Sequence, residues 1–360
     1  LRPSFGITYA MTSVAAAGPE NILSVRDAKK HFDVRAGLLA KKVGNVYAVD
    51  GVSFDIARGE TLGLVGESGC GKSTVGRLVL RLLDLTAGEV HLKGVNISGL
   101  SRSEILPHRR EMQMGFQDPY SSLNPKLSAG FLVSEPLRNF KQGSSAEINQ
   151  RVQMLFERVG FKREAMERYP HEFSGGQRQR LGIARALAVN PSLIVADEPV
   201  SALDVSVQAQ VINLLKDLQA EMGLTLIFVA HDLGVVRHIS DRVIVMYLGQ
   251  VVEEGPTDAV FRTPRHPYTV ALLSAVPVPD PKQKDRDVIV LEGEVPNPIM
   301  PPSGCPFHPR CAHARDLCRQ TPPPVREVGD AKVRCHFAGE LEPAADLRHL
   351  AGPSEPGDRA

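Results

Sequence analysis

No stretch of this sequence approaches the roughly 18 apolar residues that a membrane-crossing helix needs, so the chain is not itself a channel. An excess of charge is also missing. The 42 basic and 41 acidic side chains leave a formal net charge of +1, which gives no support to nucleic-acid binding driven by overall charge. There is no basic tract, no long heptad run and no internal repeat. The opening residues lack the basic-then-apolar order of a secretory leader, and a cytoplasmic protein is expected. Residues 1–10 precede Met11, which leaves the start open between Leu1 and Met11, and residues 1–20 are expected to be disordered. What remains is ordinary: 360 residues, 42% hydrophobic and 23% charged, fit two domains or one domain with a large appendage.

Three short apolar runs end in Gly, Asp, Glu or His: TLGLVG (61–66), LIVADE (193–198) and TLIFVAHD (225–232). Such runs fit the buried strands of a parallel sheet covered by helices on both faces. NVYAVDGVSFDI (45–56) alternates apolar and polar residues, and HLKGVNI (91–97) is strand-like, so an antiparallel sheet is expected to pack on the parallel core. RVIVMYLGQVVEEG (242–255) reads as a hairpin turning at Leu248-Gly249. Ile148, Val152, Leu155, Phe156 and Val159 recur at helical spacing, which marks a helical insertion at about 120–185. From about residue 264 prolines become dense, and a separate loop-rich extension over 264–342 is expected, followed by a disordered tail at 343–360.

GESGCGKS (66–73) matches the phosphate-loop pattern G-x-x-x-x-G-K-[ST], with a strand before it and a helix expected over 74–83. The loop Gly66, Glu67, Ser68, Gly69, Cys70, Gly71, Lys72, Ser73 and Thr74 would turn backbone N–H groups onto phosphate oxygens. Lys72 would supply charge to the β- and γ-phosphates, and Ser73 a hydroxyl to Mg²⁺. Asp197 and Glu198 close the strand LIVADE at the sheet edge where open α/β folds bind ligands. Alone, such a strand end is ordinary. Beside a phosphate loop, Asp197 would hold Mg²⁺ through its water shell and Glu198 would polarise the attacking water. His231, after the strand TLIFVA, would reach the γ-phosphate.

HEFSGGQRQR (171–180) offers a second glycine pair at a helix start. By itself it reads equally well as a helix cap, with Ser174 capping and Gln177 completing a capping box. GESGCGKST, FQDP (116–119), FSGGQRQR, LIVADEP, SALD (201–204) and AHD (230–232) occur in the order and spacing of ATP-binding cassette (ABC) ATPases, and over about 22–262 the chain resembles that family. The resemblance implies an ABC-type P-loop NTPase of the α/β class, with a RecA-like parallel-sheet core, an antiparallel β-subdomain and a helical subdomain, spanning 21–263. It implies head-to-tail pairing, in which Ser174, Gly175, Gly176 and Gln177 of one subunit close over ATP held by the other, with Asp204 crossing the interface. It also gives Tyr47 as the aromatic stacked on adenine and Gln117 as the loop glutamine that senses Mg²⁺. Phe173 stands where Leu is commonest and Cys70 at a variable position; neither removes a catalytic group, so an active ATPase is expected.

RTPRHPYT (262–269) and the Pro- and Cys-rich segment after it resemble the C-terminal extension of ATPases serving oligopeptide and dipeptide importers, whose near relatives serve nickel or other small solutes. Cys305, Cys311, Cys318 and Cys335 read C-x5-C-x6-C-x16-C, without the paired C-x2-C knuckles common in zinc sites. Spacing leaves Zn²⁺, an iron–sulfur cluster and unmetallated thiols open. The resemblance favours a structural [4Fe–4S] cluster, with His308, His313 or His336 able to replace a ligand. The expected function is ATP- and Mg²⁺-dependent powering of peptide import at the cytoplasmic face of a bacterial membrane. The expected partners are a second, similar ATPase chain, two permeases docked on 120–170, and an extracytoplasmic solute-binding protein. The rival reading is a soluble cassette acting on ribosomes or DNA; the lack of a second cassette or basic insertion weighs against it, and no nucleic-acid partner is expected.

Overall fold

A computed structural model describes residues 21–37, 41–115, 122–276 and 288–340. The expectations of disorder at 1–20 and 343–360 fall outside the described residues.

Two long strands open the fold: β1 (Asn21–Ala36) and β2 (Lys41–Ala57). They pair antiparallel, with His31 opposite Tyr47. Strand β3 (Thr61–Val65) then leaves this layer, and β4 (Ala87–Leu92) and β5 (Val95–Asn96) return to it, giving the order β2-β1-β4-β5. The expected antiparallel sheet is therefore present. Sequence pattern alone does not reveal β1. Its pairing with β2 slips at several places between Asn21 and Arg35, and each slip breaks the two-residue alternation that identifies a strand.

The second sheet contains β6 (Met112–Gly115), β7 (Leu193–Asp197), β8 (Thr225–Val229), β9 (Arg242–Tyr247) and β10 (Gln250–Pro256), with β11 (Val325–Val328) and β12 (Ala331–Arg334). Its order is β11-β12-β10-β9-β3-β8-β7-β6, parallel from β9 through to β6. Strands β3, β7 and β8 are buried at every position, as their apolar runs require. Because they run the same way, the segments after them, 66–73, 197–198 and 230–231, emerge at one sheet edge. The β9–β10 hairpin turns at Leu248-Gly249, both with positive φ, as a two-residue turn of matching twist demands.

Helices Ala129–Asn139, Ser145–Arg158 and Gly175–Leu187 form the helical part. Ile148, Val152, Leu155 and Phe156 all face inward from the second of these. Fully burying each such side chain contributes about 1.5–3 kcal/mol. Ser144 and Glu147 close its N-terminus with a reciprocal capping box.

The extension does not stand apart from the core. The β11–β12 hairpin continues the main sheet by pairing β12 with β10, Glu253 opposite Val333. Phe307 belongs to the principal core and meets Tyr247 and Tyr268 at ring-centroid distances of 5.2 and 5.4 Å. The motif RHPY is a helix start. Pro267 takes the first position of helix Pro267–Ser274, and His266 caps it, its Nδ1 accepting the Tyr268 N–H at 3.1 Å. Glu253, fully buried, accepts the N–H groups of Arg265 and His266 at 2.7 and 3.0 Å.

Burial lowers the His266 pKa from 6.5 to about 3, so the imidazole stays neutral in the fold. The unfolded chain takes up a proton below about 6.5 that the folded chain refuses, so stability is lost as pH falls from there toward 3. The slope from this group is at most about 1.4 kcal/mol per pH unit. Urea unfolding between pH 7 and 5 should show this loss, and His266→Asn, which keeps a capping oxygen but no titrating ring, should flatten it.

Candidate active site

The phosphate loop follows β3 and leads into helix Lys72–Val79, a shorter helix than the 74–83 expected. Gly71 sits at φ +106, and a Cβ there would lie 2.2 Å from the Ala48 carbonyl oxygen, so β2 allows no side chain at this position. Lys72 is 4% exposed; its Nζ donates to the carbonyls of Gly66 and Glu67 at 2.8 and 3.0 Å, keeping the ammonium within the loop. Ser68 and Gly69 are exposed at the loop tip, and Thr74 is half-buried in the helix. Cys70 packs beneath the loop, and burial pushes its thiol pKa up, which makes it a packing residue rather than a nucleophile.

Ser73 Oγ donates to Asp197 Oδ1 at 2.8 Å, bringing together the hydroxyl and carboxylate expected at Mg²⁺. Asp197 is 2% exposed, and burial raises its pKa against the opposing pull of Ser73 and nearby Arg77 and Lys72. A divalent cation at this edge would reverse that effect by stabilising the ionised form. Glu198 leaves the strand at φ +45, a left-handed conformation that a non-glycine residue adopts at a cost of about 1–3 kcal/mol. Its N–H donates to the Val229 carbonyl at 2.9 Å, tying it to the neighbouring strand, and its Oε2 lies 3.6 Å from His231 Nδ1. His231 is the more open partner, its side chain 60% exposed. Tyr47 lies on β2 one residue before Ala48 and meets the His31 ring edge-on at 4.5 Å.

The phosphate loop, Asp197, Glu198 and His231 thus share one edge of the main sheet, and the Tyr47 strand of the antiparallel sheet packs against the loop at Ala48. Gln117 lies outside the described residues. Ser174, Gly175, Gly176 and Gln177 form a second locus. The capping box is formed: Ser174 Oγ accepts the Gln177 N–H at 3.4 Å, and Gln177 Oε1 accepts the Ser174 N–H at 3.0 Å. A Cβ on Gly176 would come within 2.2 Å of Val207, so this helix start packs directly against helix Val205–Met222, which Asp204 begins. Ser174, Asp204 and Val205 are exposed. Among the described residues, no hydrogen bond or ion pair joins 174–177 to 66–74. A cleft of about 310 Å³ lies between the β6 edge and the helical part, lined by Arg109, Gln113, Glu135, Phe140 and Gln179 among others.

Two contacts from the extension were not anticipated. Arg310 makes a bidentate pair with Glu67 of the phosphate loop, at 2.7 and 3.0 Å, and Tyr268 Oη accepts the Glu67 N–H at 2.8 Å. The HPY triplet was the available signal for Tyr268; Arg310 carried none.

Cys305, Cys311, Cys318 and Cys335 line one small cavity of about 20 Å³ with His308, His313 and His336. Burial pushes the Cys305 and Cys311 thiols up to about 11 and also raises Cys335. Among the described residues, however, no group of three or more His, Cys, Asp or Glu side chains is placed to hold a metal ion. The expected metal centre is therefore not found ready-made. Among the same residues, no helix is long and apolar enough to cross a membrane.

Two family models match the chain: ABC transporter over residues 49–201, and oligopeptide/dipeptide transporter, C-terminal region, over 252–318. A probable peptide ABC transporter ATP-binding protein of Sinorhizobium fredii is 54% identical, with 92% of this chain and 95% of the relative covered. The oligopeptide transport ATP-binding protein AppF of Bacillus subtilis is 52% identical over 90% of this chain and 99% of its own length. Among solved structures, the ATP-binding cassette MJ0796, in a dimeric post-hydrolysis state bound to ADP and Pi, superposes with a TM-score of 0.58 at 32% identity, covering 65% of this chain and 98% of that one. CbiO1 from Clostridium perfringens gives 0.60 at 29%, covering 68% and 92%. The chain has an ABC-type ATPase fold and is an ATPase. It belongs to the family of oligopeptide-type ABC transporter ATP-binding proteins.

If Glu198 is the general base, Glu198→Gln should bind MgATP normally and lose about 10²–10⁴-fold in turnover, because it leaves the phosphate loop untouched. Lys72→Ala should instead abolish measurable nucleotide binding. Equilibrium binding of a fluorescent ATP analogue and phosphate release separate the two outcomes.

Proposed function

We propose that this ATPase powers the import of peptides across a bacterial cytoplasmic membrane, working at its inner face. The observation that carries the reading is the pairing of a phosphate loop, set beside Asp197, Glu198 and His231, with an oligopeptide-type extension folded onto it. In the proposed cycle, Tyr47 stacks on adenine and Lys72 and the loop N–H groups hold the phosphates. Ser73, Asp197 and Gln117 hold Mg²⁺, and Glu198, steadied by His231, orients the water that takes the γ-phosphoryl group. Ser174, Gly175, Gly176, Gln177 and Asp204 serve the nucleotide of a second, similar subunit. The exposure of Ser174 and Asp204 supports that part. Closure on ATP and release after hydrolysis would drive two permeases seated on the helical part, where the cleft beside Glu135 and Phe140 offers a dock. An extracytoplasmic binding protein would deliver the peptide. A related importer of nickel or another small solute is the second reading, which the neighbouring genes would separate.

Ser174→Arg places a bulky cation on an exposed cap without invading the core. It should keep ATP binding by the isolated chain, while ATP-driven pairing and hydrolysis in the permease complex fall at least tenfold. Co-purification with two multi-spanning proteins and ATP-dependent peptide uptake into vesicles are expected; co-sedimentation with ribosomes or DNA instead would overturn the importer reading.

The same proposal extends to a [4Fe–4S] cluster held by Cys305, Cys311, Cys318 and Cys335, with Zn²⁺ as the alternative. What supports it is the soft donor set of four thiols, which suits either, while among the described residues no three of these side chains are placed together to hold a metal ion. Such a group would supply a structural cross-link to a proline-rich segment. Iron, sulfide and zinc analysis of anaerobically purified protein should find either about four iron and four sulfide or about one zinc per chain, and finding neither would remove the metal centre.

A further inference from the structure

We infer that Arg310 and Tyr268 are positioning residues for ATP binding, acting from the C-terminal extension on the phosphate loop through Glu67. The inference rests on Gly66–Thr74 being the ATP-binding loop. A glycine-rich loop has many conformations to lose, and a loop already held in its binding shape spares that cost when the ligand arrives. Glu67, the loop's second residue, is held at both ends. Its N–H is taken by Tyr268 Oη at 2.8 Å, and both its carboxylate oxygens by the Arg310 guanidinium at 2.7 and 3.0 Å.

The charge of Glu67 makes the second contact matter. A carboxylate on a loop that must receive a polyphosphate repels its own ligand, and the repulsion is strong where water is excluded. The Arg310 side chain is 7% exposed and that of Glu67 26%, so the pair is largely shielded from solvent. The planar fork of arginine matches both oxygens at once, which fixes the direction of the carboxylate as well as offsetting its charge. Arg310 is itself held by its fold. It ends the short helical turn His308–Arg310, whose neighbour Phe307 is locked in the core against Tyr247 and Tyr268.

The same segment reaches the other end of the nucleotide site. The Pro298 carbonyl accepts the Tyr47 N–H at 3.1 Å, so residues 298–310 brace both the adenine-side strand and the phosphate loop. Every ABC cassette has a phosphate loop; this chain adds an outer clasp on it, built from residues that otherwise have no part in the chemistry.

The test is a set of full-length variants assayed for MgATP affinity, KM and kcat, with thermal unfolding followed without nucleotide. Arg310→Ala should raise KM and Kd for ATP about tenfold with kcat within twofold, because Glu67 is left charged and unpaired. Adding Glu67→Gln to Arg310→Ala should restore most of the affinity, since the repelling charge is gone. Arg310→Lys should fall between, keeping the charge without the fork. Tyr268→Phe should raise KM about two- to fivefold. If Arg310→Ala binds ATP like the wild type while Lys72→Ala does not, the positioning role is refuted. It is equally refuted if Glu67→Gln fails to rescue and the affinity loss only tracks a lower unfolding temperature. If Lys72→Ala binds ATP normally, the loop assignment itself fails, and this inference with it.

Discussion

The phosphate loop takes its shape from a lack of room. At Gly71 the Ala48 carbonyl of β2 stands where any Cβ would be, and at Gly66 the Met246 carbonyl of β9 does the same. The loop therefore runs in a slot between a strand of the antiparallel sheet and a strand of the main sheet, and its shape depends on both. That dependence makes the nucleotide site a product of the packing of two sheets rather than of eight residues alone. It also explains why Lys72, at the foot of the loop, can be nearly buried yet satisfied: its ammonium is enclosed by the carbonyls of a loop that cannot swing away.

Adjacent acids at the end of β7 are sorted into two environments by a single backbone turn. Asp197 keeps extended geometry, stays inside and takes the Ser73 hydroxyl. Glu198 turns left-handed and presents its carboxylate toward His231. The two acids still repel, since Glu198 helps raise the Asp197 pKa, but the turn at Glu198 points the two carboxylates to different places. The local strain is held by the Glu198 N–H to Val229 and by Ser201 Oγ, which donates to the Glu198 carbonyl.

How much of this is legible in the sequence depends on whether a signal is local. The buried parallel strands are visible because burial on both faces makes the run continuously apolar, as in LIVAD and TLIFV. The phosphate loop is visible because its glycines are dictated by contacts that recur wherever the motif is used. β1 is hidden because its bulges scramble the alternation, although Ile22, Leu23 and Val25 are all buried. The hairpin Val325–Arg334 is hidden because two four-residue strands after a run of prolines carry almost no periodic signal, and only their pairing with each other and of β12 with β10 makes them strands. Arg310 is hidden for a stronger reason. Its partner lies 243 positions away, and nothing in the local sequence of a lone arginine announces such a distant carboxylate.

The helix start at Ser174 admits two readings that look opposed, a structural cap and a grip on phosphate, and the chemistry of a hydroxyl reconciles them. In the capping box Ser174 Oγ acts only as an acceptor, receiving the Gln177 N–H. A serine hydroxyl also has one proton to donate, and the cap makes no use of it. An anion approaching the exposed helix end would meet that proton without dismantling the cap, which is worth about 1 kcal/mol to the helix. Gly176 adds the geometric half of the argument. Pressed against Val207 without space for a side chain, it holds the helix start close to the Asp204 loop, so the two exposed elements face outward as one surface. The cap organises that surface, and a charge-assisted hydrogen bond of about 1.5–3 kcal/mol is what a phosphate would gain there.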